Sequence, residues 1–475
     1  MVDLGLRYDY FGAPGYAGGA KDWTVQFGQG ATFDQRLANA SLQPPSAAPS
    51  TLFSSGGPAF APRTGFAYNL WPSKAMTLRG GFGLFYDRLF DNLWLNARNN
   101  SFVFPSPVAI STYLPVSSAL ASYSNTNFGS DFPNLTAFQP HLHNGYAEDF
   151  FLGIQAEPIS GWSVEVNGAG SLGRRLVTND VINRNSLVND SLPAIAYLSN
   201  QGLSDYYSLN VVTRWRLRHG FLQAAYTWSH AIDIQSDPLA GDFFNLDFVN
   251  IGPAPGSSPV APNGAAFSTP NDSRGDRANA DFDQRQTLVF FSWWQIQRGD
   301  SLIRRILGGL SFSQLAAIRS GFPYSIFTAI SATTPQVINA YARPLNASQA
   351  LLPTPQQVPG GERIFEASAF CPDDTCPLAP SGRNAFAGPG LINLDVSVSR
   401  TFSLAWMGDK GSLVLRADAF NFLNHPNLNP PGNIPGSPNY GIALFGTPPQ
   451  TTGFPSVVPL APAARNIQLM LRVNF

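Results

Sequence analysis

The sequence predicts an all-β protein, an antiparallel transmembrane β-barrel. Three observations predict it: segments in which apolar and polar residues alternate, connections that are short and long by turns, and a scarcity of charge. Of the 475 residues only 12% are charged and 13% are aromatic, with Gly 43 and Pro 40. An ordinary soluble domain carries about 25% charge, so little is available here to cover a water-exposed surface. The net charge of -1 offers no field for a nucleic-acid backbone, and nucleic acid is not expected as a partner. No apolar run approaches the roughly 18 residues that a spanning helix needs, which excludes a helical membrane protein. The opening Met1-Val2-Asp3-Leu4-Gly5-Leu6-Arg7 lacks a basic region and an apolar core, so no signal peptide is expected.

Period-two alternation is clearest at the two ends. Ile467, Leu469, Leu471, Val473 and Phe475 alternate with Asn466, Gln468, Met470, Arg472 and Asn474, Met470 being the exception on the polar side. Val2, Leu4, Leu6, Tyr8 and Tyr10 alternate likewise with Asp3, Gly5, Arg7 and Asp9. Similar segments recur at 63–71, 75–88, 146–157, 161–173, 206–218, 221–233, 285–297, 309–320, 390–402 and 411–422, about twelve strands in all. In the segment from Tyr206, residues Tyr207, Leu209, Val211, Thr213, Trp215 and Leu217 oppose Ser208, Asn210, Arg214, Arg216 and Arg218, with Val212 the misfit. None of the 40 prolines falls inside these boundaries, as hydrogen-bonded central strands require.

The connections set the architecture. Short ones at 72–74, 158–160, 219–220, 298–308 and 403–410 alternate with long ones at 12–62, 89–145, 174–205, 234–284, 321–389 and 423–464. The long ones are rich in Pro, Gly, Asn and Ser, carry no helical period and read as irregular loops. Tight periplasmic turns and large extracellular loops give a bacterial outer-membrane barrel this asymmetry.

Alternation does not say which face is inside. Mid-strand charges of both signs, at Arg7, Arg79, Glu165, Arg214, Arg216, Asp395, Arg416, Asp418 and Arg472, suit a wet lumen rather than a dry core. Trp71, Tyr86, Trp162, Tyr226, Trp228, Trp293 and Trp294 gather near strand ends, as an interfacial girdle would place them. Barrel closure satisfies every backbone group, which hydrocarbon demands. The competing architecture is a soluble β-sandwich or propeller, but propeller blades recur at about forty to fifty residues and nothing here repeats so evenly.

Eight stretches resemble the C-terminal barrel portion of Oar-like TonB-dependent receptors. They are Leu4–Tyr8 (LGLRY), Pro62–Tyr68 (PRTGFAY), Leu78–Arg88 (LRGGFGLFYDR), Tyr226–Asp233 (YTWSHAID), Phe282–Arg285 (FDQR), Ser320–Pro323 (SGFP), Gly388–Asp395 (GPGLINLD) and Arg416–Pro426 (RADAFNFLNHP). The strength of the set lies in its order, its spacing and its spread over the chain. The resemblance implies a 22-stranded barrel around an N-terminal plug, driven from the inner membrane through a TonB box. With about twelve strands and no recognisable plug or TonB box, residues 1–475 are expected to be the C-terminal part of such a barrel. It also implies the outer membrane as location, the barrel-assembly machinery as a partner with Phe475 as its recognition signal, and coupling to TonB only through a plug. Phe475 can equally be the last lipid-facing side chain.

Chemistry-bearing motifs are few. Cys371 and Cys376, in Cys-Pro-Asp-Asp-Thr-Cys, are expected to form a local disulfide rather than a metal or redox site. Gly168, Gly170 and Gly173 satisfy Gly-x-Gly-x-x-Gly with Asp190 downstream, but no helix follows and the glycines read as a strand end rather than a nucleotide site. His141 and His143 lack a nearby third ligand among His219, His230 and His425. Acidic runs at Asp233, Asp237, Asp242 and Asp247, and at Asp272, Asp276, Asp281 and Asp283, could take calcium, although their spacing is not that of an EF-hand and loop solvation explains them. Arg274-Gly-Asp276 and Arg298-Gly-Asp300 are adhesion-like tripeptides of little weight. No catalytic, cofactor or metal residue is assigned, and no enzyme is expected. The function expected is ligand binding and energised uptake by an outer-membrane receptor, with the ligand unknown. Surface adhesion is the alternative, and a soluble β-rich hydrolase the third.

Overall fold

The structure, a computed structural model, describes residues 1–16, 21–54, 56–71, 75–89, 135–237, 266–297, 307–331, 340–404, 411–446 and 464–475, together with 97, 100, 299, 302, 333, 334, 337 and 406 between these spans. Each alternating segment becomes a strand: β1 Val2–Tyr10, β2 Pro58–Trp71, β3 Met76–Tyr86, β4 Tyr146–Ile159, β5 Trp162–Ile182, β6 Ile195–Leu217, β7 Gly220–Asp233, β8 Gln286–Gln295, β9 Leu310–Arg319, β10 Leu391–Ser403, β11 Ser412–Phe420 and β12 Asn466–Asn474. They pair antiparallel in strict sequence order as one sheet. Among the described residues β1 and β12 do not pair with each other, so the sheet is open at those two edges.

Register carries a single face round the whole sheet. Leu4 stands opposite Thr64, which pairs in turn with Phe82, then Phe150, Gly170 and Tyr207. Beyond it Val211 pairs with Tyr226, then Leu288, Ile318 and Ile392, and Ala417 pairs with Leu469 at the far edge. This is the apolar, lipid-facing side. The nine charges from Arg7 to Arg472 all share the opposite parity and line the lumen. One expected girdle residue does not hold its place. Trp294 lies opposite Gly220 on the lipid side, so its neighbour Trp293, paired with Phe221, faces the lumen. Adjacent residues of a strand cannot share a face.

Two strands run past the prolines that had set their sequence boundaries. β2 runs back through Pro62 and Pro58, which pair only with β1, because β3 joins β2 from Arg63 onward. There β2 is a local edge, and a missing N–H costs no ladder bond. Pro158 in β4 falls at a bulge between Ala156 and Ile159.

The larger departure is above the barrel. β5 and β6 span 21 and 23 residues, whereas a tilted membrane strand needs about 9–11. The stretch 174–205 was expected as an irregular loop. Instead, strand pairing resumes after a bulge at Gly173 to Thr178 and continues to Ile182 and Ile195, so a hairpin projects outward. Other long connections also carry structure. Thr24–Gln26 pairs with Ser41–Gln43 around a helix, Phe33–Ala38, whose N-cap Thr32 accepts from Gln35 N. Leu135–Phe138 adds to the hairpin in parallel with Ile195–Leu198.

Two buried clusters consolidate these loops. Val25, Leu37, Leu135, Ile182, Leu192, Ile195 and Tyr197 form the first, on the hairpin. Tyr324, Ile326, Ala342, Phe365 and Phe370 form the second, within 320–389, with Tyr440 packed against it. A membrane barrel has no central dry core, so its largest buried side chains sit in the loops.

Candidate functional site

A polar luminal wall and an ordered extracellular cap are the two places where chemistry gathers. In the wall, Arg79 of β3 and Arg214 of β6 converge on Glu165 of β5. Arg79 is ion-paired to Glu165, and Arg214 Nη1 lies 3.7 Å from the other carboxylate oxygen. Asn167 Nδ2 donates to Glu165 Oε1 at 2.8 Å, and Arg214 Nε donates to Gln223 Oε1 at 3.2 Å. Arg7 pairs with Asp9, and Arg416 with Asp418, each two residues along one strand and therefore on one face. Beside this polar wall, Phe221 and Phe291 meet at a centroid distance of 6.1 Å.

The cap is joined by the segment 266–284. Asp180 and Arg184, at the hairpin end, are ion-paired at 3.0 Å and fully buried. Asp180 also accepts from Phe267 N at 2.9 Å and Asn271 N at 2.7 Å, which ties the segment to the hairpin. On the other side Arg383 pairs with Asp233 and, at 3.3 Å, with Asp281, while its Nε donates to Asp276 O at 3.0 Å. Asn384 donates to Asn279 O at 2.8 Å and to Asp281 Oδ1 at 2.6 Å. Asp276 accepts from Ser268 N at 2.9 Å and from Tyr341 OH at 3.2 Å.

Burial pushes the Asp276 carboxyl above its ordinary value, and the hydrogen bonds from Ser268 and Tyr341 pull it partly back. Burial likewise raises the Tyr341 phenol, with the Asp276 charge adding to the effect. Tyr440, which donates to Phe327 O at 2.6 Å, is pushed up to about 12 by burial. Burial lowers Arg184, against the opposing pull of Asp180.

Where they are described, the acidic runs are largely paired with arginine, although Asp272 and Asp281 keep about two fifths of their side chains exposed. Asp233 and Asp281 neutralise Arg383, Asp272 pairs with Arg274, and Asp283 pairs with Arg285 at 2.6 Å. Asp242 and Asp247 lie outside the described residues. Among the described residues, no group of three or more His, Cys, Asp or Glu is placed to hold a metal. The histidines are scattered: His141 meets Ser54 at 2.6 Å, His219 meets Gln297 at 3.1 Å, and His230 meets Asn279 at 3.0 Å. In Arg274-Gly-Asp276 the carboxylate is buried, which disposes of it as an adhesion tripeptide. Arg298 and Asp300 lie outside the described residues.

Gly168, Gly170 and Gly173 stand inside β5 rather than at its end. A side chain on Gly170 would enter the Phe150 ring, 2.3 Å away, so the glycine makes room for an aromatic and not for a phosphate. Asp190 sits at the hairpin tip with Ser191. The sulfurs of Cys371 and Cys376 are 2.13 Å apart. Phe475 follows β12 and is exposed. Arg383, Asp180 and Arg184 organise the cap; Arg383 left no local mark because its partners lie up to 150 residues away, whereas Asp180 and Arg184 stand four residues apart in a stretch that reads as loop.

A family model described as "Outer membrane beta barrel domain" matches residues 1–468. The chain belongs to that family. Outer-membrane location follows, and it removes the soluble sandwich, propeller and hydrolase readings. Among solved structures, the chain is similar to the outer membrane transporter YddB from Escherichia coli at 10% identity and a TM-score of 0.46, covering 88% of this chain and 40% of that one. The pyoverdine outer membrane receptor FpvA from Pseudomonas aeruginosa PAO1 aligns at 8% identity and 0.41, covering 88% and 36%. The FrpB iron transporter from Neisseria meningitidis aligns at 8% and 0.39, covering 87% and 39%. The barrel thus spans about two fifths of the length of these structures. No curated protein matches it.

Proposed function

We propose that the chain is the C-terminal part of an Oar-like TonB-dependent receptor barrel, whose extracellular loops capture a ligand for energised uptake through a plugged lumen. The observation that carries the reading is the cap: long connections of a simple pore can be loose, whereas these bury two apolar clusters and a paired Asp–Arg network above a polar wall. The eight ordered sequence stretches supply the family subtype. Within the same reading, Phe475 serves as the assembly signal, and Cys371–Cys376 staples the second loop cluster. Labelling of both cysteines by maleimide before any reductant is added would show them unbonded and overturn the staple.

The test uses the full-length gene with its upstream coding region, in-frame deletion of 321–389, and accumulation assays over ferric siderophores, oligosaccharides and peptides. The expected result is proton-motive-force-dependent uptake of one class, lost on deletion while the heat-modifiable barrel remains. If no class accumulates and deletion instead abolishes cell attachment, the adhesion alternative replaces uptake.

A further inference from the structure

Most of the luminal face is polar, yet its inner half carries three aromatic rings that neither the ion-paired wall nor the loop cap uses. Trp293 and Phe291 of β8 and Phe221 of β7 share the luminal parity, and the register sets Phe221 directly opposite Trp293. Phe291 stands two residues along the strand from Trp293, about 7 Å away. The Phe221 and Phe291 centroids are 6.1 Å apart, and Phe291 and Trp293 remain 41% and 39% exposed. Phe221 follows Gly220 at the tight β6–β7 turn, so the rings sit in the periplasmic half of the lumen.

A block of hydroxyls adjoins them. Trp293 pairs with Ser313 of β9, which pairs with Ser397 of β10, and in the next row Gln295 pairs with Ser311, which pairs with Ser399. These serines are half-buried, their hydroxyls are open to the lumen, and among the described residues none makes a side-chain hydrogen bond. On the other flank Arg216 stands opposite Phe221, exposed and without an ion pair among the described residues. The charges around this patch are already engaged. Arg214 holds Glu165 and Gln223, Arg416 holds Asp418, and Asp395 accepts from Asn393 Nδ2 and Asn421 N.

We propose that the three rings and the serine block form a stacking track for a neutral oligosaccharide passing through the inner half of the lumen. A purely apolar ligand would take water from the hydroxyls and leave them unpaired, and a polyanion finds a single free guanidinium. A sugar answers both features. The polarised C–H groups on its ring face lie against the electron-rich faces of Trp293 and Phe291, and the hydroxyls around its edge meet Ser313, Ser397, Gln295 and Arg216. Each serine hydroxyl donates once, accepts twice and rotates, so it fits a sugar hydroxyl of either sense. The inference rests on the uptake reading and names its substrate class.

Cells carrying the full-length protein would be given tritiated maltohexaose, cellohexaose, xylohexaose and laminarihexaose, with capture measured in energy-poisoned cells and accumulation in energised ones. Accumulation of at least one hexasaccharide is expected. Trp293→Ala and Phe291→Ala should each slow it by about fivefold and leave capture at the cap unchanged, whereas Trp293→Phe, which keeps a ring, should retain most of the rate. The heat-modifiable band reports that each variant has assembled. Should an alanine variant not assemble, Trp293→Leu, apolar but without an aromatic face, carries the same expectation. Accumulation of a ferric siderophore or a peptide in place of every hexasaccharide overturns the proposal and leaves the uptake reading standing, while accumulation of no class removes both. Unchanged sugar uptake in the assembled variants also overturns it, and if those variants admit vancomycin the rings are assigned to packing against a plug.

Discussion

Val211 and Asn210 are neighbours in β6 that face opposite solvents, and the difference between them can be measured. Val211 pairs with Val166 and Tyr226 on the lipid face, midway between the aromatics Tyr207 and Trp215 of its own strand, whereas Asn210 donates to Thr227 Oγ1 at 2.8 Å in the lumen. An arginine at 211 meets hydrocarbon and costs about 2–4 kcal/mol, while one at 210 meets water. Val211→Arg should therefore lower the fraction of heat-modifiable barrel in purified membranes several-fold, and Asn210→Arg should leave it near the parent level. In the cap the decisive residue is Asp276. Its folded-state pKa lies above the ordinary 3.8, so its contribution to stability is full below that value and is lost as pH rises through the raised one. Protease protection of 266–284 should accordingly increase as pH falls from neutrality toward 3.8. Asp276→Asn, which keeps an acceptor for Ser268 and Tyr341, should flatten that dependence. An unchanged slope in the variant would place the titration elsewhere.

At the scale of elements, the β5–β6 hairpin acts as a mast for the first loop cluster. Ile182, Ile195 and Tyr197 come from the hairpin, and Val25, Leu37 and Leu135 come from two other connections. Removing 178–199 and bridging the cut ends should leave the membrane-embedded sheet intact, because Trp162 to Gly173 keeps its pairing with Ser204 to Trp215. Limited trypsin digestion should then cut faster at Lys21 and Arg36, whose segment loses its packing against the hairpin, while the barrel retains its heat-modifiable shift. Strands were legible in the sequence where one face met lipid and the other water, since each residue then reports its own side. Legibility failed in two ways. Above the membrane both faces of the hairpin meet protein or water, the alternation fades after Gly173, and the continuing strand went unseen. Proline was read as a strand limit, but it is tolerated at Pro58 and Pro62 where β2 has one neighbour. The cap itself was illegible because its bonds, such as Asn279 to Asn384 across 105 residues, leave no local period.

At the scale of the whole molecule, the fold trades a central core for two peripheral ones, so insertion and loop folding are separable events. Phe475 bears on the first. Deleting it removes one exposed terminal ring and no pairing in β12, so the assembled barrel should melt as before while its steady-state level in the outer membrane falls. Equal levels with and without Phe475 would reduce it to one more lipid-facing side chain. The two open edges also carry a counting rule. All eleven junctions between β1 and β12 are antiparallel, so the two edge strands run in opposite senses across the membrane. A ring closed wholly by antiparallel junctions must then insert an even number of strands between them, zero included. Whatever completes the wall adds strands two at a time.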